Sequence, residues 1–262
     1  MRVKSLSAER KNTRRTINRD GIQQKALGVD MVEIWKTYKI ELEVDGQFGG
    51  QIPRSEDEIR AMLEHRTPGR KPADARPIEE LVAEVVSQVD VQDPEDDNYV
   101  PGWSTFKHDA EGKLQYEGRC IRGHLKDCAL QVKEFYPEIK NFRSKVVNRL
   151  YVANDLIPLT SSELVPFTEP EGTETRYIQV MTRQGPRSAI KYIDYILDPY
   201  LTFNIKLLND TRDPKKVKDI ITIEHIKSIL EYGSIHGMGA ERSQGWGRYT
   251  VSNITEITGL PF

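Results

Sequence analysis

Near its carboxyl end the chain carries Gly237-Met-Gly-Ala-Glu-Arg-Ser-Gln-Gly-Trp-Gly-Arg248, four glycines in a Gly-x-Gly-x5-Gly-x-Gly frame. Glycine enters left-handed backbone conformations without a Cβ penalty, so this spacing dictates a tightly turned segment rather than continued helix or strand. The flanks fit that reading. A helix is predicted over 224–232, with Ile226, Ile229 and Leu230 on its inner face, and a last strand over 249–254. Turns free of Cβ atoms expose N–H groups to an anion such as phosphate. Arg242 and Arg248, with Ser243 and Gln244 between them, add charge and hydrogen-bonding groups to that cradle. Trp246 has two readings: stacking on a nucleobase, or wedging the loop onto a sheet.

A second motif, Gly118-Arg-Cys-Ile-Arg-Gly-His-Leu-Lys-Asp-Cys-Ala-Leu, runs into an amphipathic helix in which Ile121, Leu125, Cys128, Ala129, Val132 and Phe135 recur at helical spacing until Pro137. Its start and opposite face carry Arg119, Arg122, His124, Lys126 and Lys133, with Gly118 and Gly123 at the entry. A helix amino terminus presents unpaired N–H groups to an anion.

Elsewhere the alternation Tyr38-Ile40-Leu42-Val44 predicts a half-buried strand that stops at Asp45-Gly46, with Gly49-Gly50 just beyond. Strands are also predicted over 146–152 and 157–159. Consecutive hairpins follow over 176–181, 190–197 and 201–208, with turns at Gln184-Gly185-Pro186 and Asp198-Pro199. Residues 51–115 read as an inserted, mainly helical lobe, with helices over 56–65 and 78–89 around a Pro/Gly/Lys/Arg stretch. Residues 1–30 read as a basic amino-terminal arm, either a solvated tail or an RNA contact.

The formal net charge of −2 and pI near 6.3 exclude a protein that coats nucleic acid by bulk charge, so any such site must be a local basic surface. Two cysteines, Cys120 and Cys128, are too few for a disulfide scaffold and lack metal-ligand spacing, so they read as core thiols in a reducing cytosol. No apolar run is long enough for a membrane span and the basic amino terminus lacks the apolar region of a signal peptide; the expected location is cytoplasmic.

The glycine loop, the glycine-bearing helix entry at 118–132, and the first strand with Gly49-Gly50 together resemble the CRISPR-associated RAMP superfamily, RNA-binding proteins that process guide RNA or form the backbone or cap of guide-RNA complexes. Arg119, Cys120 and Ile121 depart from the more usual Pro-Gly-Ser type of lead. The resemblance implies an α+β fold with a ferredoxin-like (RRM-like) core across residues 31–262. It implies as ligand a single-stranded guide RNA gripped by its sugar-phosphate chain, and as partners other subunits of a ribonucleoprotein complex, including copies of the chain in a filament. The RNA-binding set would be Gly118, Arg119, Arg122, Gly123, His124, Lys126, Gly237, Gly239, Arg242, Ser243, Gln244, Gly245, Trp246, Gly247 and Arg248. No metal, cofactor or membrane is expected.

Two alternatives stand beside this reading. One is a RAMP-type endoribonuclease, with His124 or His236 acting on a 2′-hydroxyl in a metal-independent cut, or Asp45 supporting a metal-dependent one. The residues show no convergent catalytic set, so binding is favoured over catalysis. The other is a subunit mimic or assembly factor that no longer binds RNA, against which the retained Arg119, Arg122, Arg242 and Arg248 argue.

Overall fold

The alternating apolar residues of the first predicted strand find their partners in a long strand far along the chain. In the computed structural model, β1 (Trp35–Asp45) pairs antiparallel with β11 (Tyr200–Leu208) and with β12 (Arg248–Ile257). Residues 33–66, 76–97, 99–182, 185–210 and 220–257 are described. The basic arm expected over 1–30 lies outside them, as does Gln184 of the predicted turn. The fold is mixed α+β.

The other elements, in chain order, are β2 (Gln47–Gly49), β3 (Ile52–Pro53), α1 (Glu56–Arg66), α2 (Ile78–Val86), β4 (Trp103–Thr105), β5 (Lys107–His108), β6 (Leu114–Glu117) and α3 (Gly118–Val132). They continue with α4 (Phe142–Arg149), β7 (Leu150–Val152), β8 (Leu156–Thr160), β9 (Gly172–Thr182), β10 (Gly185–Leu197) and α5 (Ile223–His236), which precedes β12. The larger sheet has the order β12-β1-β11-β8-β6-β5, with β7 also paired to β11. The smaller has the order β2-β10-β4-β3, with β9 on β10, and β10 runs parallel to β4.

One face of the larger sheet forms the main core. Tyr38, Ile40, Leu42 and Val44 of β1 and Leu201, Phe203, Ile205 and Leu207 of β11 pack there against Ile121, Leu125, Cys128 and Ala129 of α3 and Ile226, Ile229 and Leu230 of α5. Period-2 burial on the strands and 3.6-residue burial on the helices are what a one-sided sheet covered by helices requires. Residues 51–115 form α1 and α2 over their own small cluster of Ile52, Ile59, Val85 and Val89, together with the short strands β3, β4 and β5. No helix among the described residues is long and apolar enough to cross a membrane.

Three local expectations are corrected. Residues 146–149 of the strand expected over 146–152 instead belong to α4, because Phe142 and Val146 at i, i+4 spacing both reach the main core; only Leu150–Val152 is strand. Phe135 does not continue the α3 stripe: α3 ends at Val132, a tighter turn spans Lys133–Phe135, and the Phe135 ring is 78% exposed. The consecutive hairpins reduce to one, β9–β10. At Asp198 (φ 48°) the chain leaves the smaller sheet and enters the larger, where β11 pairs with β1 instead of β10. Asp198 Oδ1 accepts the Gly46 N–H at 2.6 Å and Pro199 O accepts the Val44 N–H at 3.0 Å, which fixes that crossing.

Candidate nucleic-acid interface

The entry to α3 is a close approach. A Cβ on Gly118 would lie 1.8 Å from Asn154 O, so only glycine lets the β7–β8 connection cross the helix start, and the Gly118 N–H donates to Asp155 O at 2.8 Å. Just before it, Glu117 is buried and ion-paired to Lys107 at 3.2 Å and to Arg119. Burial raises the Glu117 carboxyl, but the Arg119 hydrogen bond and the charges of Arg119, Lys107 and Arg66 outweigh it and hold the group below its ordinary value. Arg119 is exposed yet already matched to an internal carboxylate. Arg122 is exposed, donates to Val147 O at 3.2 Å and lies 5.9 Å from the Tyr151 ring centre. Gly123 is half-buried, and Lys126 is exposed with no hydrogen bond or ion pair among the described residues.

The glycine loop is held from within. Gly237, Gly239, Gly245 and Gly247 all have positive φ. A Cβ on Gly237 would stand 2.4 Å from Trp246 O, and one on Gly247 1.8 Å from Met238 O. The N–H groups of Met238 and Ala240 donate to Gly247 O and Gly49 O, and that of Gly247 to Gln47 O; those of Gln244 and Trp246 go to Glu241 O, and that of Gly245 to Arg242 O. These donors are spent on folding the loop on itself and onto β2, which leaves of the expected cradle, among the described residues, the N–H groups of the tip, Glu241, Arg242 and Ser243. Trp246 takes the wedging role: it is 5% exposed, packs with Ile193 and Ala240, meets Tyr195 edge-on at 5.7 Å, and carries the Arg176 guanidinium 5.5 Å above its ring. No base can stack on a ring so enclosed.

What the loop presents to solvent is its tip. Arg242, Ser243 and Gln244 form a 3-10 turn and are exposed, as is Arg248, which faces Asp45 across the β1–β12 pair. Gly245 is half-buried, while Gly237, Gly239 and Gly247 are buried. Among the described residues no group of three or more His, Cys, Asp or Glu could hold a metal ion.

The two motifs meet at His124, which the sequence placed on the exposed start of α3 but which is only 4% exposed. Its Nε2 lies 3.0 Å from Tyr249 Oη, 125 residues away, and its ring stacks on His236 at 6.1 Å. Since the Tyr249 hydroxyl donates to Leu230 O at 3.1 Å, its oxygen is left to accept, which assigns the proton to His124 Nε2. Burial first, then the positive groups of His236 and Arg242, push the His124 pKa down to about 3. The neighbouring Cys128 thiol is pushed up to about 12 by burial and by Asp127, so neither His124 nor Cys128 offers an exposed base or a thiolate. His236 itself is exposed and stacked on Tyr232 at 5.8 Å.

That buried neutral histidine gives a stability signature. Above pH 6.5 both folded and unfolded chains carry it uncharged. Below 6.5 the unfolded chain binds a proton that the folded protein refuses until about pH 3, so stability falls with falling pH by up to about 1.4 kcal/mol per unit. Denaturant midpoints between pH 7 and 5 should show a loss of about 2 kcal/mol that His124→Gln removes. The difference between the two proteins isolates His124 from His225, whose pKa burial also lowers. Equal pH profiles would mean that His124 is hydrated in solution.

Sequence reasoning passed over Glu117, which no motif marks and which gains meaning only from its contacts with Lys107 and Arg119. No family model matches the chain and no curated protein matches it. Among solved structures it is similar to a chain of "Cryo-EM structure of the Type III-B Cmr-beta bound to cognate target RNA", with a TM-score of 0.36 and 11% identity over 86% of this chain; it spans 61% of the length of that one.

Proposed function

We propose that this chain binds single-stranded RNA through the sugar-phosphate backbone, as a subunit of a CRISPR-type ribonucleoprotein, with exposed groups of the glycine-loop tip and of α3 as the contact surface. The observation that carries the reading is the meeting of the two motifs at His124, which puts the charge of Arg242 within reach of α3. In this reading β1, α3, β7–β8, β11, α5 and β12 are the β-α-β-β-α-β series of a ferredoxin-like core in residues 31–262, with residues 51–115 inserted as a lobe. The strand order β12-β1-β11-β8 supports it. The contact set narrows to exposed groups, Arg122, Lys126, Arg242, Ser243, Gln244 and Arg248. Gly118, Gly237, Gly239, Gly247, Trp246 and His124 shape that surface from beneath, and Arg119 joins it by exchanging Glu117 for a phosphate.

On a near-neutral chain such binding rests on a few local charges, so affinity should fall with salt, with a log–log slope of about −0.7 per phosphate contact on a single strand. A salt titration with a guide-like RNA and an unrelated RNA of equal length is expected to give parallel lines of slope about −2 to −3. Salt-independent binding, or none at low salt, removes RNA from consideration.

A further inference from the structure

The edge of a β-sheet presents unpaired N–H and C=O groups to any passing strand, and folded proteins blunt such edges. Most edges here are blunted. The outer edge of β2 is taken by the glycine loop, whose Ala240 and Gly247 N–H groups donate to Gly49 O and Gln47 O. β12 is broken by an extra residue at Ser252, β3 and β5 have two residues each, and β7 has three. Among the described residues β9 is the exception. It runs for 11 residues in unbroken register with β10 and pairs with no other strand. It contains no proline and no lysine, and its Tyr177 is 82% exposed.

The neighbours of β9 decide which backbone groups it offers. Successive residues of a strand turn their N–H and C=O groups to opposite edges. The Tyr192 N–H donates to Gly102 O, and Asp194 O accepts the Gly50 N–H, both on the side of β10 away from β9. Lys191 and Ile193 therefore turn to β9, and their register partners Arg176 and Glu174 turn back to β10. This leaves the backbone groups of Thr173, Thr175, Tyr177 and Gln179 on the open edge, and all four residues are exposed.

That edge is complementary to itself. Laid antiparallel on a second copy with Thr175 opposite Thr175, its outward groups meet as hydrogen-bonded pairs, Thr175 with Thr175 and Thr173 with Tyr177. The intervening positions, where side chains approach most closely, set Glu174 opposite Arg176 twice. These are the only charges within β9, and in one copy they lie 3.7 Å apart, so across the two-fold each gains a second neighbour of opposite sign. Registers centred on Glu174 or on Arg176 set like charges against each other, which is destabilising. We infer that β9 is a self-pairing edge, joining two copies of this chain through residues 173–177 into one continuous sheet about a two-fold axis. None of these residues belongs to the surface assigned to RNA.

Sedimentation velocity of the full chain, free of nucleic acid, from about 1 to 200 μM should show a monomer passing to a dimer, as befits a small interface. Thr175→Pro removes an N–H that nothing uses within one copy, on an edge where proline is tolerated, and should stay monomeric throughout. Register is read by cross-linking. Two Thr175 Cα atoms in a hydrogen-bonded pair stand about 5.5 Å apart, within disulfide range, whereas two Gln179 Cα atoms stand about 27 Å apart. Under diamide, Thr175→Cys should give a covalent dimer, and Gln179→Cys and the wild type should not. A wild type that is monomeric at every concentration leaves the edge to another protein's strand and overturns self-pairing. So does a Thr175→Pro variant that dimerises like the wild type, or equal cross-linking at 175 and 179.

Discussion

Gly247→Ala is expected to cost about 2–5 kcal/mol, a large part of a typical domain's stability, and to lower the denaturant midpoint accordingly. The added Cβ would stand 1.8 Å from Met238 O and 2.8 Å from Met238 C, both backbone atoms that no side-chain rotation can clear. It also meets a φ of +65°, where an L side chain is strained. Gly245→Ala is the control. Its φ of +87° carries the same backbone penalty, but the nearest atoms to its Cβ are those of the Arg248 guanidinium at 3.6 Å, an ordinary contact with a flexible group. That variant should lose only about 1–2 kcal/mol. Equal losses at the two positions would show that the loop does not clamp on itself as described.

The second large effect is on RNA. Arg122→Ala, Arg242→Ala and Arg248→Ala combined are expected to weaken guide-like RNA about 100-fold or more at low salt and to flatten the salt slope by about 2, since each removes one phosphate contact. All three side chains are exposed, so the fold should be disturbed by no more than about 0.5 kcal/mol at each. Leu125→Ala should do the reverse. Leu125 is 1% exposed in the main core, and its truncation should cost about 2–5 kcal/mol while the folded fraction binds RNA normally. Wild-type affinity in the triple variant would place the RNA contact elsewhere or abolish it.

Much of the scaffold was readable from local pattern. Tyr38, Ile40, Leu42 and Val44 alternate, and Ile121, Leu125, Cys128 and Ala129 follow the helical repeat, because each element must turn one face to a core whatever that core is made of. The glycines at 237, 239, 245 and 247 were read as turn-makers, and all four have positive φ. Val146 misled because its β-branched neighbourhood favours strand, while the pull of Phe142 and Val146 toward the same core favours helix. For the candidate site the residue types were readable and their states were not. Arg119 and Arg242 look alike in sequence, yet one is tied to Glu117 and the other stands in solvent.

The sequence by itself determined where strands alternate, where α3 and α5 present an apolar stripe, and where the backbone needs freedom from Cβ, since these depend on residues within a few positions of one another. Only the tertiary structure decided that most of the glycine-loop N–H groups serve Gly49, Gln47 and the loop itself, that Trp246 faces the smaller sheet, and that His124 is sealed against Tyr249. Each outcome depends on partners set by sheet pairing and chain crossing. A donor's availability and a proton's affinity follow from which atoms come within a few ångströms, and those atoms belong to residues as far apart as Gly247 and Gln47, 200 positions along the chain.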